Sequence, residues 1–340
     1  MRSYVSGGSA FGARELSRSP KHRGAPKVRW DASQAEAVLA ILERRLGGEP
    51  DCLDDWERLF KTVPQQQLAR REAQVESGFS NEGFIRFLLK PDLLRRYARL
   101  REALATWSKL DLQSCARQAL AYLPAGCHIR ASCYPVIKPQ GNSFVFGNSD
   151  DPMVFLALDA RLPLAKLKNT IVHELHHVGL QSAVPGTTGT SEVSRWLGAF
   201  GEGLAMLAAA GSSQIHPHAT STKAERDLWD REMRNLSENF QRLDAFFLHV
   251  VGLVSNESET EEKGNSFFGV QGPWYTVGYH MAVSVERHYG RAVLLDCIED
   301  TRRLLFTYQR LADSHSMAPR WSLELIHALS ASGASRSVAV

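Results

Sequence analysis

The chain has 340 residues, 44% of them hydrophobic and 23% charged, a balance that fits one or two packed globular units and excludes a fibrous or wholly disordered polymer. Its net charge of +3 is local: residues 1–29 carry seven Lys or Arg against one acid and the remainder 33 bases against 36 acids, so charge gives no reason to expect a nucleic-acid partner. No stretch reaches the roughly 18 apolar residues of a membrane span, and five cysteines without a CxxC pair point to reduced thiols in a cytoplasmic setting, not to disulfides or a thiolate metal site.

Residues 1–29, which begin "MRSYVSGGSAFGARELSRSPKHRGAPK", are rich in Gly, Ser, Pro and Arg and lack the apolar run of a signal peptide. They are expected to be a disordered basic tail, on a soluble, cytoplasmic protein with no membrane partner; export by another route stays open. Residues 30–125 have helical periodicity. Leu93, Tyr97, Leu100, Leu104 and Trp107 alternate spacings of four and three and so share one stripe, and Pro64 and Pro91 stand where helices begin. A helical N-terminal subdomain is expected here.

The period changes at Gly126. "HIRASCYPVIKP", "SFVFG" and "MVFLALD" are short, rich in Val, Ile and Phe, and divided by the turn segments "PQGN" and "GNSDDP", which predicts a sheet of three or four strands. Helices then resume over about 164–181, 192–210, 223–253 and 273–289, with two or three shorter ones to 329. Between them lie a Gly/Thr loop, "VPGTTGT", and an acidic loop over 256–263 that is solvated or covers a cleft; the last ten residues are expected to fray. The whole is an α+β chain, mostly helical, with a small β-sheet.

The chemistry concentrates in "TIVHELHHVGL", residues 170–180. His173 and His177, four apart on a helix, lie about 40° apart around the axis and one turn apart along it, so their imidazoles can converge on one ion. Glu174 flanks that ion without needing to bind it. This is the HExxH arrangement. Neutral imidazole leaves the charge of Zn2+ uncancelled, so a bound water ionises near pH 7, and the carboxylate takes its proton during attack on a carbonyl and passes it to the leaving amine. His176 lies on the other side of His173; it either backs a ligand or faces solvent.

A catalytic zinc needs a third protein ligand. A third histidine six residues after His177, with a glycine between, is missing, since position 180 is Leu and position 183 is Ala. In "WLGAFGEGLAMLAAAG", Glu202 sits in a stripe of small residues, so its charge lies close to a partner helix and needs pairing. Glu192 is the rival, at a helix start where acids are common for another reason.

HExxH followed by a glutamate on a second helix resembles the gluzincin group of zinc metallopeptidases, and the "EGLA" context is similar to its peptidase MA-like branch. The resemblance covers about 127–312 and implies a zincin-like catalytic domain over 126–330, with His173, His177 and Glu202 as ligands and Glu174 as base. Thermolysin-like members carry an aspartate four residues after the ligand glutamate; here Met206 stands in its place.

Peptidase MA-like proteins also have a downstream helix ending in Tyr-Gly, like Tyr289-Gly290, with a tyrosine fifteen residues before the glycine, which is Tyr275 here. Tyr275, or Tyr279 one turn on, would stabilise the oxyanion by this likeness; as plain residues, both read equally well as core aromatics. His216 and His218 read as a loop, not a second metal site, and Asp150 and Asp151 as a turn. One of the two strands before the histidine helix could pair with an extended peptide. The expectation is zinc-dependent hydrolysis of a peptide or protein substrate; the alternatives are a zincin-like binding module that has lost turnover and a zinc hydrolase of other acyl-amides.

Overall fold

The computed structural model describes residues 24–74, 79–147, 152–183, 191–252, 257–298, 300–316 and 319–334. Strand β1 (Lys27–Trp30) is followed by α1 (Ser33–Leu46), α2 (Leu53–Lys61), α3 (Val63–Gln74), α4 (Asn81–Leu88), α5 (Pro91–Trp107) and α6 (Leu112–Leu120). Next come β2 (Arg130–Val136), β3 (Phe144–Phe146), β4 (Met153–Ala157) and the long α7 (Leu164–Ala183). The rest is helical: α8 (Glu192–Gly198), α9 (Gly201–Ala210), α10 (Lys223–Arg234), α11 (Leu236–Val251), α12 (Glu257–Ser266), α13 (Pro273–Tyr289), α14 (Arg291–Ile298), α15 (Thr301–Ser314) and α16 (Leu323–Ala334). The fold is thus a mostly helical α+β arrangement with one small sheet.

The sheet order is β1-β2-β4-β3, with β1, β2 and β4 parallel and β3 antiparallel to β4. β3, the "SFVFG" strand, is therefore an edge and "MVFLALD" is interior. Pro135 lies in the central strand without loss. Lys27 N–H donates to the Ile129 carbonyl and Asp31 N–H to that of Cys133, so odd residues of β2 face β1, and β1 has ended before it reaches Pro135. The buried Gln34 of α1 then closes the end of β2, donating to the Ile137 carbonyl and accepting from its N–H.

One sheet face, with Val28, Ala131, Cys133, Val154 and Leu156, joins a core that also takes Leu167, Ile171, Val172, Leu175 and Val178 of α7. The other face carries a smaller cluster of Tyr134, Val136, Met153 and Phe155 under Leu68 of α3. Leu42, Leu100, Leu104 and Trp107 of the N-terminal helices belong to the same main core as Phe200 and Phe247, so apolar packing is continuous across residue 126.

Four expectations change. The tail expected to run to residue 29 gives way earlier, because Lys27–Trp30 pairs with β2 and buries Val28; residues 1–23 lie outside the described residues. The helix expected over 192–210 divides into α8 and α9 at Ala199 and Phe200, between Gly198 and Gly201. That expected over 223–253 divides at Asn235, whose φ of −88° and ψ of 14° leave the helical region. The acidic stretch is not a loop over most of its length but helix α12. It docks through Gly264, where a Cβ would meet the Trp196 ring at 2.2 Å, and Trp274 Nε1 donates to the Gly264 carbonyl. Asn256, Asp150, Asp151, the "VPGTTGT" segment and residues 335–340 lie outside the described residues.

Candidate metal centre

Helix α7 owes its central place to apolar residues on several faces, and it comes close to its neighbours where Gly179 leaves room: a Cβ there would sit 2.3 Å from Leu123 Cδ1. His176, fully buried, fixes the same region by bonding through Nε2 to the Tyr122 carbonyl at 3.3 Å. It does not face solvent. Burial holds its imidazole down at about 3, neutral at any ordinary pH. The polar stripe of α7 is thus left to His173 and His177.

Glu202 enters from the first turn of α9. Its position depends on a backbone contact with α13 that the run of small residues makes possible. A Cβ on Gly203 would lie 2.1 Å from the Tyr279 nitrogen, and one on Gly278 would lie 2.8 Å from the Phe200 carbonyl oxygen. On the α7 side, a Cβ on Gly201 would make only ordinary contact with Leu180, at 3.5 Å. The glycines lock α9 onto α13, and this pair presents Glu202 and Tyr275 to α7 together.

Three donor atoms meet there. His173 Nε2 and His177 Nε2 are 3.1 Å apart, and Glu202 Oε2 lies 3.2 Å from the first and 3.4 Å from the second. They form the one group of three or more His, Cys, Asp or Glu with metal-holding geometry among the described residues. A tetrahedral ion with bonds of 2.0–2.1 Å places its ligands about 3.3 Å apart, so the spacing fits zinc. The chemistry of the set fits as well. Two ring nitrogens face each other across a gap with room for one proton, whereas a cation between them uses both lone pairs and the carboxylate charge.

The local electrostatics follow from burial and this charge cluster. Burial alone would lower His177, but the charge of Glu202 and its hydrogen bond outweigh it and raise the imidazole to about 9. Burial would likewise raise Glu202, and the His177 and His173 imidazoles overcome it, holding the carboxyl well below the usual range. Glu174 is buried, and desolvation raises its pKa against the pull of the two histidines. A carboxylate so raised is a better proton acceptor than one in water.

Of the two tyrosines, only Tyr275 belongs to this group. Its ring stacks on His173 with centroids 6.4 Å apart and planes 16° apart; burial, then the charge and hydrogen bonding of Glu202, push its hydroxyl well up. Tyr279 is placed elsewhere: it packs edge-on against Trp229 at 5.2 Å, and its hydroxyl donates to the Ile215 carbonyl at 3.4 Å. The two are one turn apart, and the difference arises because the 212–221 segment closes over Tyr279. Glu192, at the start of α8, is not in the cluster.

His216 and His218 lie in that same segment between α9 and α10. His216 pairs with Asp230 at 3.1 Å, and the buried His218 bonds Ser221 Oγ through Nδ1 at 3.0 Å; they hold the segment to α10 and to Lys166 of α7, which donates to the same Ser221 oxygen. Sequence reasoning gave no sign of this. Nothing in the spacing of Lys166, His218 and Ser221 announces that one oxygen would join them.

The family model described as "Putative zinc dependent peptidase (DUF5700)" matches residues 56–316, from within α2 to just past α15. The chain belongs to this family of zinc-dependent peptidases. No curated protein and no solved structure matches it. The family's zinc dependence and the His-His-Glu group agree on the cofactor, Zn2+. Among the described residues no helix is long and apolar enough to cross a membrane.

Proposed function

We propose that the chain is a peptidase of gluzincin type, in which His173, His177 and Glu202 hold zinc, Glu174 is the general base and Tyr275 donates to the carbonyl oxygen of the substrate. The observation that carries this reading is the spacing of the three donor atoms, close to a tetrahedral edge, with Glu174 next to His173 on the same helix. Zinc in this position supplies an acidified water and polarises a carbonyl.

The chain's own residues account for the rest. Glu174 accepts a proton from the attacking water and, because burial raises its pKa, holds that proton until the leaving amine takes it. Tyr275 keeps its proton at any working pH, as its raised pKa requires, and so remains a donor for the oxygen that gains negative charge. The outer edge of β3, unpaired among the described residues, offers main-chain groups to an extended peptide, and α7 packs against that strand. Met206 packs partly buried against the core, so no second carboxylate backs the site from that position.

The test is hydrolysis of a peptide library by the zinc-loaded wild type and by Glu174→Gln. The wild type should cut peptides, and the variant should keep its zinc and lose on the order of 10²–10⁴ in rate, the usual contribution of a general base. Full activity in Glu174→Gln would remove this residue from the chemistry. Zinc without any cleavage, by a wild type that hydrolyses acyl-amides instead, would move the substrate class.

A further inference from the structure

A second concave site lies on the face of the sheet turned away from α7. Its outer apolar half, around Tyr134 and Phe155, is covered by α3. The β1–β2 half is open and carries different chemistry. Lys27 and Arg130 are register partners on adjacent strands, and so are Arg29 and Ser132; the alternation of side chains puts all four on this same face. Together with Pro26, Gln113 and the neighbouring backbone they line a cavity of about 650 Å³. That volume is in the range of small-molecule sites.

No carboxylate lines the cavity, and among the described residues none of the three cations stands in an ion pair. Like charges directly opposite each other on neighbouring strands repel. Basic residues on an edge strand have a ready explanation, because they prevent another chain from pairing there. That accounts for Lys27 and Arg29 on β1. It does not account for Arg130, which stands on the interior strand β2 directly across from Lys27. Arg29 is also oriented: its Nε donates to Ser132 Oγ at 3.0 Å, and Ser132 is buried, which leaves the outer edge of the guanidinium free to donate elsewhere.

We propose that this cavity binds the phosphate group of a small phosphorylated molecule between Lys27, Arg29 and Arg130. Neighbouring strands stand about 4.8 Å apart, so one tetrahedral dianion reaches cations on both strands and turns their mutual repulsion into charge-assisted hydrogen bonding. The site is independent of the metal centre, which lies on the other side of the sheet.

The experiment measures binding of inorganic phosphate to the full-length protein by calorimetry and its effect on the melting temperature. It compares wild type with Lys27→Gln/Arg130→Gln and, as a second variant, Arg29→Gln, all at equal zinc content. Phosphate should raise the wild-type melting temperature, and both variants should bind it at least tenfold more weakly. Without phosphate the double variant should melt no lower than wild type, since it removes a repulsion. Vesicles containing phosphatidic acid, set against phosphatidylcholine vesicles, form a parallel arm: capture by the former that the variants lose, with no response to free phosphate, would identify a lipid headgroup as the source of the same chemistry. Equal phosphate affinity in wild type and variants, or no response of the wild type to either source, overturns the proposal.

Discussion

The imidazole ring of His173 touches every part of the proposed chemistry: His177 and Glu202 at its Nε2, the Tyr275 ring stacked on its face, and Glu174 next along the backbone. At this scale the two tyrosines offer the sharpest contrast. Tyr275→Phe removes a donor beside Glu202 and should lower kcat about 10²–10³-fold with zinc content unchanged, as loss of one oxyanion donor does. Tyr279→Phe loses only a hydrogen bond to Ile215 and should keep kcat within a few-fold, with a stability loss of about 1 kcal/mol. Steady-state kinetics on the two variants decide the assignment; equal losses in both would contradict it. The grouping of His173, His177 and Glu202 was legible in the sequence because helical spacing and local composition constrain these side chains. The choice between Tyr275 and Tyr279 was not, because it depends on a segment sixty residues away that covers one of them.

At the scale of elements, the site depends on how closely α9 approaches α13. The sequence carries the stripe of small residues and the need for a close neighbour; composition shows that a helix is approached closely and is silent on by which helix. Gly203→Ala places a methyl where the backbone of Tyr279 already stands, and the contact can be relieved only by separating two helices. The expected outcome is a destabilisation of at least about 2 kcal/mol by denaturant melt together with weakened zinc affinity, since Glu202 precedes the displaced residue. A stable Gly203→Ala with unaltered zinc binding would show that α9 is held in place by other contacts. The division of the two long helices and the docking of α12 were equally hidden. The docking of α12 is set by a tertiary partner, Trp196 against Gly264.

For the whole molecule, strand β1 and helices α1 to α6 belong to the same packed body as the metal centre. Among the described residues β1 pairs only with β2, Gln34 of α1 closes the end of β2, and Tyr122, just after α6, meets both His176 and Arg291. The sequence separates a helical N-terminal part from the remainder by its change of period; in the structure α1 to α6 precede β2, and β1 stands before them. The parallel pairing of residues 27–30 with residues 130–133 crosses a hundred positions, and no local pattern carries it. A chain begun at residue 126 should therefore lack a cooperative thermal transition, whereas the full chain should show one; a shortened chain that melts cooperatively and binds zinc would contradict this.

A zinc site made of His173, His177 and Glu202, in a chain of this zinc-dependent peptidase family, underlies the proposed hydrolysis. Its most direct test is zinc content per chain by elemental analysis, after supply of zinc and removal of excess, on wild type and Glu202→Ala. Wild type should hold about one zinc and Glu202→Ala sharply less, as expected when one of three protein ligands is lost. A wild type that holds no zinc, or a Glu202→Ala variant that retains it fully, would rule out a zinc held by these three residues.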